Sequence, residues 1–313
     1  MSTSRVRPLR RVVFAAGSVL TLAALAACTS TAPDAGGAGG AGALEQLQED
    51  GSITVAFNGE EPYSYEDGGD LTGATIALDR EIFGELGVES VEGVQTEWNS
   101  LIPGLTAGRY DTVSAGMSIL PERCSAALFS EPEIMYTTAF LVPEGNPDNL
   151  TDMQSAQDAG VKLAVLSGAV ESDYADELDI EKIEVGDGQD GLDAVTSGRA
   201  DALALTGISL RTLAEKTDAP VEVTDSFVAE IDGVPQIGAG AEVFPKGEEE
   251  LRDAYNEKLA EIVSDKERWL EIVEPFGFTE AEYPVEGLTT EKLCEGDLDA
   301  LAEELAPELG QDG

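Results

Sequence analysis

A short unit of helix, Gly-Arg-x-Asp and strand occurs twice in this chain. Residues 101–107 have the spacing of a helix, Gly108-Arg109-Tyr110-Asp111 halts it, and residues 112–115 read as a strand. Residues 192–197, Gly198-Arg199-Ala200-Asp201 and residues 202–205 repeat the pattern about 90 positions later. The glycine suits the left-handed residue that ends a helix, and the arginine falls where it meets the negative helix end. Two such copies predict two lobes of similar α/β construction rather than one large sheet.

The remaining patterning fits that plan. Residues 52–57 (Ser-Ile-Thr-Val-Ala-Phe) alternate as a strand does, and a turn-rich loop runs from Gly59 to Gly69. Ile76, Leu78, Ile82, Phe83 and Leu86 recur at helical spacing until Gly87, and residues 91–97 read as the next strand. An apolar strand ends at Ala139-Phe140-Leu141-Val142, where Pro143-Glu144-Gly145-Asn146-Pro147 breaks it. A second lobe then begins with a strand over 162–166 and a helix from about Val170. Asp187-Gly188-Gln189-Asp190-Gly191 lacks the spacing of an EF-hand loop and reads as a turn that brings Asp190 to a helix start. Residues 235–244 read as the return crossing, and helices are predicted over 248–264 and 266–273. The chain thus leaves lobe one near 141 and comes back near 237. That predicts 44–140 plus 237–313 as lobe one and 141–236 as lobe two. Two crossings make a hinge, and a ligand belongs in the cleft between the lobes.

Ahead of the lobes the sequence changes character. Arg5, Arg7, Arg10 and Arg11 precede an apolar stretch over 12–27, shorter than the ~20 residues of a membrane-spanning helix. Residues 1–27 are read as a signal peptide. Its ending, Leu25-Ala26-Ala27-Cys28, resembles the lipobox of bacterial lipoproteins, in which the cysteine takes the lipid and becomes the first residue of the mature chain. Small residues and one Asp then fill the chain to position 43. Such a stretch cannot bury enough apolar surface to offset its ordering entropy, so 28–43 is expected to be a flexible tether. The expected place is outside the cytoplasm, anchored to the membrane through Cys28.

Composition narrows the chemistry. The 313 residues hold 62 Asp and Glu against 18 Lys and Arg, a formal charge of −44, and no histidine. Ser-His and Cys-His catalysis and His-ligated zinc are therefore excluded. Three cysteines cannot build a four-thiolate metal site, and no metal or cofactor is expected. Nucleic acid is a poor partner for so acidic a surface, because binding requires basic groups to displace counterions. Loss of the signal peptide removes four arginines and no acid, taking the charge from −44 to −48. Such acidity fits a solvated surface adapted to high salt, where self-repulsion is screened. Cys124 and Cys294 remain once Cys28 is lipidated; in an oxidising compartment they are expected to pair and fasten the C-terminal segment to lobe one.

Several phrases stand in a telling order. Glu60-Glu61-Pro62-Tyr63-Ser64-Tyr65 follows the first strand, then Leu71-Thr72-Gly73, then Leu101-Ile102-Pro103-Gly104-Leu105 ahead of Gly108-Arg109. Ala115-Gly116-Met117-Ser118-Ile119-Leu120-Pro121-Glu122-Arg123 comes after them. Over about residues 50–280 the chain resembles the solute-binding proteins of ABC importers, family 3, the polar amino acid type. Ser100 through Leu105 and Pro121-Glu122-Arg123-Cys124 most resemble the ectoine- and hydroxyectoine-binding members. The resemblance implies an α/β fold of the periplasmic-binding-protein type II, with two lobes joined by two hinge crossings. It also implies a monomer without enzymatic activity, whose closed form is presented to permease subunits in the membrane.

Carried over residue by residue, the resemblance makes Arg123 the clamp for a ligand carboxylate, a task its planar fork suits. Backbone N–H groups near Ser118 would help hold the same carboxylate. Tyr63 and Trp98 would stack on a delocalised cation, Glu60 would accept its N–H groups, and Glu171 would do so from lobe two. Ser118 stands where the ectoine binders carry a third aromatic ring. Gly168-Ala169-Val170-Glu171 lacks the hydroxyls, and Leu205-Thr206-Gly207 the acid, with which many relatives hold an α-amino acid. The expected ligand is a small zwitterionic compatible solute such as ectoine or hydroxyectoine. The alternatives are a polar amino acid, a dehydratase-like enzyme using Glu60 or Glu171 as acid and base, and a ligand sensor that signals to a membrane receptor.

Overall fold

The structure is a computed structural model and describes residues 42–305. The signal peptide, Cys28 and the tether up to residue 41 lie outside the described residues. Among the described residues no helix is long and apolar enough to cross a membrane.

The chain opens lobe one with α1 (Ala43–Asp50), β1 (Ser52–Phe57) and the hairpin β2 (Tyr65–Asp67) and β3 (Asp70–Thr72). It continues through α2 (Ala74–Glu85), β4 (Ser90–Gln95), α3 (Leu101–Thr106) and β5 (Thr112–Ser118). Then come α4 (Pro121–Ala126), β6 (Leu128–Phe129) and β7 (Ile134–Met135). Lobe two holds β8 (Thr138–Pro143), α5 (Met153–Ala159), β9 (Lys162–Leu166), α6 (Val170–Glu177) and β10 (Glu181–Val185). It ends with α7 (Gly188–Thr196), β11 (Ala202–Thr206), α8 (Gly207–Glu215), β12 (Val221–Val223), β13 (Glu230–Ile231) and β14 (Val234–Pro235). The return brings β15 (Ala239–Phe244), α9 (Glu249–Val263), α10 (Lys266–Val273), α11 (Thr290–Glu295) and α12 (Leu298–Leu305).

Two open sheets carry the lobes. The first has the order β4-β1-β5-β15-β6, with β7 also on β15; the second has the order β10-β9-β11-β8-β12. In each, three neighbouring strands are parallel and the fourth is antiparallel. The alternation of side chains across a strand feeds a core on both faces. On β9, Leu163 and Val165 enter one cluster while Ala164 and Leu166 enter another.

The crossings differ in detail from the sequence reading. Residues 138–140 pair with β11 in the second sheet, so the chain leaves lobe one at Tyr136 and Thr137, earlier than the boundary of 140/141. The apolar run to Val142 belongs to lobe two because β8 is a buried inner strand of that sheet. On the way back only the residues between β14 and β15 cross; 239–244 is itself a strand of the first sheet.

The repeated unit has a structural purpose in both copies. Gly108 and Gly198 take φ of +64° and +70°, the left-handed stop. The aspartate that follows then clips the neighbouring strand. Asp111 accepts from the Thr54 N–H at 2.8 Å and gives its own N–H to the Thr54 carbonyl at 2.9 Å. Asp201 accepts from the Lys162 N–H at 2.8 Å and returns its N–H to the Lys162 carbonyl at 2.8 Å. Asp187, rather than Asp190, caps α7, accepting from the Asp190 N–H. Cys124 of α4 and Cys294 of α11 are joined, with Cα atoms 5.8 Å apart, and Leu293, Leu301 and Leu305 pack into the core of lobe one.

Candidate functional site

The cleft side of lobe one is formed by strand ends. The loop after β1 carries Glu60 and Tyr63, with a cis peptide between Glu61 and Pro62. Tyr63 is 2% exposed, and its ring stands edge-on to Phe278 at 5.4 Å and to Tyr136 at 6.1 Å. It is thus a core residue as well as a wall of the cleft. Trp98 opens the short 3₁₀ turn Trp98–Ser100, just before α3. Ser118 ends β5, and Arg123 follows on α4.

Lobe two answers with α6 and α8. Glu171 is 2% exposed, and its carboxylate accepts a long bond, 3.4 Å, from the Thr138 hydroxyl and is met by its own backbone N–H. Burial pushes its pKa up to about 7, because few charge-stabilising partners replace water there. Ser209 of α8 donates to Glu60 Oε1 at 2.7 Å, across the cleft. Burial raises the Glu60 pKa, and this bond works against the rise.

The lobes are shut on one another. The Trp98 indole N–H donates to the Gly168 carbonyl at 3.0 Å, and Arg123 Nη2 donates to the same oxygen at 2.8 Å. Arg123 Nη1 donates to the Ser118 carbonyl at 3.1 Å, and its guanidinium carbon lies 5.7 Å from the centre of the Trp98 ring. Lys216 pairs with Glu61 at the rim and covers the Tyr65 ring. The cavity enclosed by Glu60, Tyr63, Trp98, Ser118 and Glu171 measures about 30 Å³, space for one or two waters.

The structure therefore brings Glu60, Tyr63, Trp98, Ser118 and Glu171 to one cavity, with Arg123 at its edge against Trp98. At Ser118 it is the carbonyl that meets Arg123, while the next N–H along, Ile119, is taken by the Ala239 carbonyl. Sequence reasoning missed Tyr136, Thr206 and Ser209. Tyr136 lies on the outgoing crossing and lines the cavity, a ring near Ser118 where the aromatic set looked incomplete. A Cβ at Gly240 would overlap its hydroxyl, so the ring position depends on that glycine. Its place in a crossing was the available signal, since both lobes meet there. Thr206 and Ser209 are linked at 3.1 Å and supply hydroxyls where an acid was absent.

Comparison with known proteins adds four findings. A model of the bacterial extracellular solute-binding proteins, family 3, matches residues 53–278. The chain is 35% identical over 259 residues to the probable amino-acid ABC transporter periplasmic-binding protein y4tE of Sinorhizobium fredii, covering 80% of this chain and 85% of that one. Among solved structures it is similar to EhuB in complex with hydroxyectoine, with 35% identity and a TM-score of 0.70 over 80% of this chain and 97% of that one. It is also similar to an ancestral amino acid-binding protein described as a precursor of cyclohexadienyl dehydratase, with 27% identity, a TM-score of 0.65 and coverage of 74% and 98%.

Proposed function

The chain belongs to the bacterial extracellular solute-binding proteins of family 3, and on that premise we propose that its cleft takes a small zwitterionic compatible solute such as ectoine or hydroxyectoine. The protein is the solute-binding component of an ABC-type amino-acid importer and not an enzyme, which sets aside the dehydratase alternative.

One observation carries the ligand reading. Arg123 and Trp98 converge on a single lobe-two carbonyl, Gly168, beside a cavity faced by two carboxylates, Glu60 and Glu171. A ligand carboxylate would take the place of that carbonyl on the guanidinium, a charge-assisted bond replacing a neutral acceptor. The rings of Trp98, Tyr63 and Tyr136 would face a delocalised cation, and Glu60 and Glu171 would accept its N–H groups. A cavity of about 30 Å³ admits no such ring, so the lobes part for entry and close over the solute. Contacts to both lobes are what shift the balance toward the closed form. The signal segment and Cys28 support a lipid anchor outside the cytoplasm, with the permease subunits as partners.

The amino-acid reading has relatives behind it, and the two readings part at the ammonium. Thr206 stands at the end of β11, where an acid would hold an α-ammonium. Calorimetry at high salt with ectoine, hydroxyectoine, glycine betaine and polar amino acids decides the matter. Ectoines are expected to bind most tightly, and Arg123→Ala to weaken them about a hundredfold or more. Tighter binding of an α-amino acid, or unchanged affinity in Arg123→Ala, would overturn the assignment.

A further inference from the structure

A larger space lies behind the cleft. It measures about 540 Å³, in the range of small-molecule sites, and its walls come from the hinge crossings, α6, and the chain around α11 and α12. Ser118, Tyr136, Val170 and Glu171 line both this chamber and the cleft cavity, so they form the partition between the two. The part contributed by Leu293 and residues 296–299 lies outside the family-matched region 53–278 and is held in place by the Cys124–Cys294 bridge.

Two features of the wall set the chemistry of an occupant. Its body is apolar, with Ile119, Val170, Phe227, Ile231, Val234 and the Tyr174 ring facing in. Every charged side chain on it is a carboxylate, including Glu171, Asp173 and Glu177 on α6 and Asp297 and Asp299 opposite. Glu171 is buried with a long bond from Thr138, its own backbone N–H and no cation paired to it. The neighbouring Arg123 bonds the Ser118 and Gly168 carbonyls instead. The Tyr136 hydroxyl, buried without a hydrogen-bond partner, packs against Gly240 and Gly116 of the lobe-one sheet rather than into the chamber. A buried carboxylate with no cation paired to it marks a place built for a cationic donor.

We propose that this chamber is a second binding pocket, for an organic cation with an apolar body, such as an arylalkyl ammonium or guanidinium. The ammonium lies at the partition, donating to Glu171, and the apolar part lies along Phe227, Ile231 and Tyr174. The acids at the outer rim attract the cation and repel anions. The pocket shares Glu171 with the cleft, so the two occupants compete for that carboxylate, while the apolar wall and the acidic rim do not depend on which solute the cleft takes.

The test is calorimetric titration of the chain with 2-phenylethylammonium, and with 3-phenylpropanoate as its anionic counterpart. The ammonium is expected to saturate and the carboxylate to bind at least about tenfold more weakly, because its charge faces carboxylates. Glu171→Gln is expected to weaken the ammonium about tenfold. Ile231→Lys, which sets a cation inside the chamber, and Asp297→Lys, at its exposed rim, should weaken it likewise while ectoine binding stays as in the unmodified chain. Ectoine titrated into ammonium-free samples of the same chains reads the cleft separately. No ammonium binding in the unmodified chain while ectoine binds, equal binding of the two probes, or no effect of both lysine variants overturns the pocket. Failure of ectoine alone overturns only the cleft assignment.

Discussion

Lobe one orders its sheet β4-β1-β5-β15 and lobe two orders its own β10-β9-β11-β8, the same run of three parallel strands and one antiparallel. What packs against the two sheets is not the same. Lobe two is closed by Phe140, Leu163, Val165, Leu203 and their apolar neighbours, and its buried carboxyl, Glu171, faces the cleft. Besides Glu282, which pairs with Arg211, lobe one buries three carboxyl groups away from the cleft: Asp79 on α2, Glu133 before β7 and Glu242 on β15, none more than 1% exposed. One topology therefore tolerates either kind of interior, and the difference lies in the protons the first must hold.

Those protons follow from hydrogen-bond geometry. The Tyr255 hydroxyl lies 3.0 Å from Asp79 Oδ1 and 2.7 Å from Glu133 Oε1. A phenol has one hydrogen to give, so one of the two contacts needs a carboxyl O–H as donor. Ser130 and the Glu242 N–H also donate to Glu133, and Arg80, the charged neighbour on α2, acts on Asp79 only from the surface. Burial pushes Asp79 up to about 7 and Glu133 up to about 8, with Asp79 adding to the rise at Glu133, and burial raises Glu242 as well. A carboxyl whose folded pKa lies above its unfolded value stabilises fully below the unfolded pKa. That contribution is lost as pH rises through the folded pKa.

The largest expected effect is therefore an alkaline weakness greater in lobe one, with its three such groups, than in lobe two, where burial pushes Glu171 up to about 7. From about pH 4.5 to about pH 8 stability should fall by about 1.4 kcal/mol per pH unit for each group still protonated only in the fold. Thermal melts at pH 5 and pH 9 measure the loss, and Glu133→Gln should shrink it. Hydrogen exchange at pH 9 should show earlier opening at β1 and β5 than at β9 and β11. Equal weakening of the lobes, or a pH profile indifferent to Glu133→Gln, would remove the distinction.

Next in size is the bridge. Cys124 and Cys294 are 170 positions apart, and opening a link across so long a loop costs about 2–5 kcal/mol. The double variant Cys124→Ser with Cys294→Ser should lower the melting temperature through lobe one, which α11 and α12 cover. Lobe two has no such tie among the described residues, so its exchange pattern should stay as it was. Equal loss in both lobes would mean that the bridge stabilises the closed form rather than its own lobe.

Much of this frame was legible in the residues. The strand over 52–57 alternates, the short apolar run over 162–166 ends at Ser167-Gly168, and the helix at 266–273 recurs with its own period; the structure gives the same bounds. The outgoing crossing was misplaced because Ala139-Phe140-Leu141-Val142 is apolar throughout, and a run buried on both faces carries no mark of which sheet owns it. The cleft was half legible. Glu60, Tyr63 and Trp98 lie in loops next to strand ends, where a motif can be seen. Tyr136 reaches the cavity only because two crossings converge, a relation between distant positions. The buried trio left less trace still, since Asp79, Glu133 and Glu242 are 3 of 62 acids and only packing sets them apart.

The smallest effect bears on the repeated aspartates. Asp111 and Asp201 make matching bonds to the strand beside them, yet Asp111 is half-buried and Asp201 is exposed. A hydrogen bond to a charged acceptor contributes about 1.5–3 kcal/mol when sheltered and less in water, where solvent competes for the same N–H. Asp111→Ala also leaves the Thr54 N–H unpaired at the edge of a buried strand. It should cost about 2 kcal/mol, and Asp201→Ala about 1 kcal/mol or less. The sites lie in different lobes and share no partner, so the double variant should lose the sum. Chemical denaturation of the three variants measures all of this. An equal cost at both positions would mean that the clip acts through the turn itself, alike in either lobe, and not through shelter from water.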